Sequence, residues 1–61
     1  MKEYEIKVCA SYITDGGSKE WNCFTVYEDA KSASEAKRIA KADLREEGYR
    51  NIEMSDVIAT N

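Results

Sequence analysis

The chain predicts a small α+β domain of ββαβ topology: a three-stranded antiparallel sheet, order 2-1-3, with one helix packed on one face. Three observations carry that expectation. Two strand-like runs flank the turn Thr14-Asp15-Gly16-Gly17-Ser18. A capping box then opens an alanine-rich amphipathic stretch from Ser32. A third apolar-rich run, Ile52 to Ala59, closes the chain.

The first strand is Tyr4 to Tyr12, where Tyr4, Ile6, Val8, Ala10 and Tyr12 share one face and Glu5, Lys7, Cys9 and Ser11 the other. Trp21 to Tyr27, rich in aromatic and β-branched residues, is the second strand, with Phe24 and Val26 on one face and Trp21, Cys23, Thr25 and Tyr27 on the other. Ser32 is the expected helix N-cap, with Glu35 completing the box. Ala33, Ala36, Ile39, Ala40 and Leu44 form one apolar stripe, and alanine lets a helix lie close to a sheet. The helix is expected to stop at Glu47-Gly48, with Gly48 in the left-handed conformation. In the closing strand Val57 and Ile58 are adjacent, which a bulge near Ser55-Asp56 or a shorter strand would explain. Thr60-Asn61 is expected to fray.

Order 2-1-3 is favoured over 1-2-3 because it puts the most apolar strand in the middle. Two hairpin registers compete. A two-residue Gly16-Gly17 loop pairs Tyr12 with Trp21 and Val8 with Thr25. A three-residue Asp15-Gly16-Gly17 loop with a glycine bulge sets Ile6 against Val26, Val8 against Phe24 and Cys9 against Cys23. A one-residue slip moves a strand's side chains to the opposite face. The second register gathers Ile6, Val8, Phe24 and Val26 beneath the helix, so it is the expected one; each such side chain contributes roughly 1.5–3 kcal/mol when buried. It leaves Glu5, Lys7, Cys9, Ser11, Trp21, Cys23, Thr25 and Tyr27 on a face that nothing else in the chain can cover.

Sixty-one residues make one domain, 1–61. A chain this short buries about 60% of its unfolded surface. A single core at this length rarely supplies more than roughly 3–5 kcal/mol. Hydrophobic content of 43% and charged content of 34% are those of a folded domain. A net charge of −3 and a pI near 4.8 argue against generic binding to the nucleic-acid backbone. They suit a protein partner instead. Met1-Lys2-Glu3-Tyr4 is followed by no apolar leader segment, and no run approaches the length needed to span a membrane, so the expected compartment is the cytoplasm, with both cysteines as free thiols.

The chemistry available is narrow. Histidine is absent, which removes Cys-His and Ser-His-Asp arrangements, and two cysteines alone make no zinc site within one chain. Asp15-Gly16-Gly17 is a turn and no phosphate cradle. Glu46, Glu47, Glu53 and Asp56 are scattered and read as solvated surface. No cofactor, metal or enzymatic activity is expected. Two binding surfaces stand out. Trp21, Thr25, Tyr27 and Lys7 on the open sheet face are candidate anchors for a protein partner, because Trp and Tyr dominate interfaces. The alternative is that these aromatics only shield backbone and make cross-strand pairs. A symmetric homodimer through the same face is a further option. Lys37, Arg38, Lys41 and Arg45 on the helix are the candidate nucleic-acid contacts, set against Glu35, Asp43, Glu46 and Glu47 nearby.

The hairpin, the helix opening Ala30-Lys31-Ser32-Ala33-Ser34-Glu35-Ala36-Lys37-Arg38-Ile39-Ala40 and the single closing strand resemble small proteins of phages and mobile elements, including some anti-CRISPR inhibitors. The likeness covers about a third of the chain and transfers no functional residue. It implies a non-enzymatic binder that blocks a larger machine by occupying its surface.

Overall fold

The structure, a computed structural model, describes residues 1–60. Strands β1 (Lys2–Ile13) and β2 (Lys19–Ala30) form a hairpin, helix α1 spans Ala33–Glu46, and strand β3 (Arg50–Ala59) closes the sheet. The sheet order is β2-β1-β3, and β1 is antiparallel to both neighbours, as the sequence predicts. All three strands are longer than their patterns suggest. The added residues are largely charged, Lys2, Glu3, Glu28, Asp29 and Arg50 among them, and strand ends are held by the ladder rather than by burial.

The hairpin turn closes in the three-residue form. Gly17 N–H donates to the Thr14 carbonyl at 2.9 Å, and Thr14 N–H donates to the Ser18 carbonyl at 2.8 Å. Gly17 takes φ +85°, the left-handed conformation that a type I turn with a glycine bulge needs. The register follows: Ile6 opposes Val26, Val8 opposes Phe24 and Cys9 opposes Cys23.

Helix α1 carries both expected ends. The Ser32 side chain accepts from Glu35 N–H at 3.2 Å. The Glu35 carboxylate accepts from Lys31 N–H at 3.1 Å, one residue before the N-cap, a displaced version of the box. At the other end Gly48 has φ +103°, with Tyr49 N–H donating to the Leu44 carbonyl at 3.0 Å and Gly48 N–H to the Arg45 carbonyl at 3.1 Å, a Schellman motif. That motif turns the Tyr49 ring onto Phe24 (centroids 5.3 Å apart) and Tyr12 (5.8 Å).

The core lies between α1 and the sheet. It consists of Tyr4, Ile6, Val8 and Ala10 from β1, Ala30 at the end of β2, and Ala36, Ala40 and Leu44 from α1. Half of these are alanine, so the helix sits close and the buried volume is small. Phe24, Val26, Ile39, Ile52, Met54 and Val57 are half-buried around its rim.

Three expectations are corrected. Cys9 and Cys23 are joined in a disulfide and are not free thiols. Directly opposed strand residues bring their Cβ atoms within bonding reach, and here the Cα atoms are 4.1 Å apart. Second, β3 contains two register shifts where one is expected. The shift across Ser55-Asp56 is the predicted bulge; another lies between the Cys9–Glu53 and Ser11–Arg50 pairs, where Asn51 takes φ 52°. Third, Thr60 is held: its N–H donates to the Glu3 carbonyl at 2.9 Å and its hydroxyl reaches the Glu3 carboxylate at 2.8 Å. Asn61, the other residue expected to fray, lies outside the described residues.

Candidate functional site

The uncovered face of the sheet gathers the residues singled out as protein anchors. Strand alternation sends Trp21, Cys23, Thr25 and Tyr27 of β2 to the face opposite α1, beside Glu5, Lys7 and Cys9 of β1. Lys7 stands directly opposite Thr25, and Glu5 opposite Tyr27. Trp21 is 53% exposed and Tyr27 56%. All four predicted anchors therefore share one exposed surface.

Local contacts set the posture of the two aromatics. The Tyr27 hydroxyl donates to the Glu5 carboxylate at 3.3 Å. The charge of that carboxylate, followed by the hydrogen bond itself, raises the Tyr27 phenol above its ordinary pKa. Lys19 Nζ lies 5.7 Å from the Trp21 ring centroid, within cation–π range. Between the aromatics the Cys9–Cys23 bond ties β1 to β2. A shallow depression of about 310 Å³ beside it is lined by Lys7, Cys9, Cys23, Thr25 and Ser55, among others.

Two features of this face were missed from sequence. Ile58 lies on it opposite Glu5 and is 52% exposed. Its signal was available: with Val57 turned to the core, the adjacent Ile58 must point the other way. Ser11, assigned to the open face by parity, is only 2% exposed. Its hydroxyl donates to the Arg50 carbonyl at 3.0 Å and lies 2.8 Å from Asn51 Oδ1. The second bulge folds over it, and no periodicity in the sequence announces that bulge.

The second predicted surface is only partly assembled. Lys37, Arg38 and Lys41 line a groove of about 310 Å³ whose other wall is Ile52 and Met54 of β3. Arg38 reaches Glu35 at 4.0 Å, a contact too long and too exposed to hold the arginine in place. Arg45 is not among the groove residues; its carbonyl accepts from Arg50 Nη1 at 3.2 Å at the helix end. Among the described residues there is no group of three or more His, Cys, Asp or Glu side chains that could hold a metal, and no helix long and apolar enough to cross a membrane.

Comparison with protein-family models, curated proteins and solved structures finds no match to this chain.

Proposed function

We propose that the protein is a small non-enzymatic binding module that occupies a surface of a protein partner through its open sheet face. One observation carries this reading: Trp21, Tyr27 and Ile58, each more than half exposed, lie on the sheet face that α1 leaves bare. Lone exposed apolar residues need no explanation, but large ones grouped on one face do. Trp21 and Tyr27 are the anchors, with Thr25 and Lys7 between and beside them. The charge around the anchors is mixed, with Glu5 and Lys7 on the central strand and Glu53 and Lys19 on its neighbours, which suits a protein surface better than a polyanion. The inhibitor role implied by resemblance is one form of such binding. The cytoplasm remains part of the proposal. The register that places the anchors is also the one that buries Ile6 and Val8 against α1.

The test is substitution of the larger anchor. Trp21→Ala is expected to keep the circular dichroism and melting temperature of the parent. It is also expected to weaken partner binding by about 2 kcal/mol or more, the usual loss at a hot spot. Undiminished binding by the folded variant would overturn the reading. Binding should also survive reduction of the disulfide.

Nucleic-acid binding by α1 is the second reading, favoured by the convergence of Lys37, Arg38 and Lys41 on one groove. The aliphatic wall of Ile52 and Met54 gives bases nothing to stack on, which weighs against it. It requires a salt-dependent affinity whose slope falls when these three residues are neutralised. A flat titration against DNA and RNA disposes of it.

A further inference from the structure

We infer that the free edge of β2 pairs with β2 of a second copy of this chain, about a two-fold axis at Phe24, to form a continuous six-stranded sheet. The argument starts from the direction of the main chain. In an antiparallel ladder, pairs alternate between hydrogen-bonded, with Cα atoms about 5.5 Å apart, and non-hydrogen-bonded, about 4.5 Å. Cys9 and Cys23, with Cα atoms 4.1 Å apart, are of the second kind. Counting from the turn agrees, since Thr14 and Ser18 share a hydrogen bond and the pairs alternate from there. The N–H and C=O groups of Lys19, Trp21, Cys23, Thr25, Tyr27 and Asp29 therefore point away from β1. Since β2 is an edge strand, nothing among the described residues lies on that side.

The two edges of the sheet are treated differently. The β3 edge is interrupted by two bulges, a common device against edge-to-edge association. The β2 edge has no bulge and no proline along 12 residues, and its register with β1 is unbroken. Its centre, Trp21-Asn22-Cys23-Phe24-Thr25-Val26-Tyr27, carries no charge. An exposed, uncharged, strand-prone segment of this kind is a template for another strand.

The order of residues along β2 selects a second copy as the occupant. With the axis at Phe24, Trp21 falls opposite Tyr27 of the second copy, Cys23 opposite Thr25, and Lys19 opposite Asp29. On the helix side Phe24 meets Phe24 and Asn22 meets Val26, while Glu20 and Glu28 oppose each other in two symmetry-related like-charge pairs. Aromatic and opposite-charge pairs are favourable cross-strand neighbours. Shifting the axis to Cys23 sets Lys19 against Tyr27; shifting it to Thr25 sets Trp21 against Asp29. Only the Phe24 axis sets Lys19 against Asp29 and Trp21 against Tyr27 together. The pairing completes about a dozen main-chain hydrogen bonds. It also brings two copies of the open face side by side, with Trp21 and Tyr27 of both at the centre.

Analytical ultracentrifugation of the whole chain across a wide concentration range tests this. The expected result is a monomer–dimer equilibrium. Thr25→Pro removes an N–H that β1 does not use and should abolish the dimer while the hairpin stays folded. Thr25→Lys does the same by placing like charges across the axis, and serves if the proline variant fails to fold. Lys19→Asp should weaken the dimer about tenfold, since two symmetry-related pairs turn from attraction to repulsion, and the double exchange with Asp29→Lys should restore it to within about twofold. A chain monomeric at every concentration overturns the proposal, as does a dimer indifferent to both Thr25 variants. A dimer that these abolish but that ignores the charge exchange overturns the Phe24 register. The dimer is read with no partner present, and the docking reading is tested apart from it, by Trp21→Ala against a partner at concentrations where the chain is monomeric.

Discussion

Ser11 shows how far a residue's role can depart from its place in a pattern. Alternation marks it as an open-face position, yet it is almost wholly buried because the Arg50-Asn51 bulge closes over it. Ser11→Ala strips the Arg50 carbonyl of that side-chain donor and should cost about 1–2 kcal/mol of stability, read by chemical denaturation. Glu28 carries a second residue-scale consequence. Burial, then the nearby Asp43 and Asp29, raise its carboxyl pKa. The folded protein therefore holds that proton more tightly than the unfolded chain does. Glu28 favours folding while protonated, and this contribution is lost as pH rises through its raised pKa. Glu28→Gln should raise the melting temperature at neutral pH slightly, and the gain should vanish in acid below the ordinary carboxylate range. No residue type or spacing announces either effect, because each depends on atoms brought in from another element.

The elements themselves were largely legible, since their signals are local. Ser32, Glu35 and Gly48 mark both ends of α1 in the sequence, and the hydrogen bonds follow almost as written. Ser32→Ala should lower stability by about 1 kcal/mol through loss of the cap. Gly48→Ala forces a side chain into the left-handed region and should cost about 1–2 kcal/mol, although the space around it is open. Circular dichroism melts of the two variants check both. Strand β3 was legible in part. The adjacency of Val57 and Ile58 betrays one bulge, whereas Arg50-Asn51-Ile52 breaks no pattern and hides the other. Strand lengths were underestimated for a related reason: charged terminal residues join a ladder for their backbone bonds and leave no hydrophobic trace.

At the scale of the whole molecule a small, alanine-rich core is supplemented by a covalent tie. The Cys9–Cys23 bond spans 14 residues, and chain-entropy reasoning gives such a loop about 3 kcal/mol at most, less here because the hairpin is already closed by its turn. Reduction should lower the melting temperature while leaving the strand register unchanged, which backbone NMR contacts between Val8 and Phe24 would report. The sequence by itself determined the ββαβ order of elements and the alternation of each strand into two faces, and it favoured strand order 2-1-3 and the three-residue turn without excluding their alternatives. These rest on periodicity, on glycine at a left-handed position and on the burial of Phe24 and Val26. Tertiary structure alone decided that the cysteines join, that a second bulge buries Ser11, that Ile58 completes the open face, and that Arg45 stands apart from Lys37, Arg38 and Lys41. Each of these is a relation between residues distant in the chain, settled by how neighbouring strands and the helix lie against one another, and local pattern does not encode it.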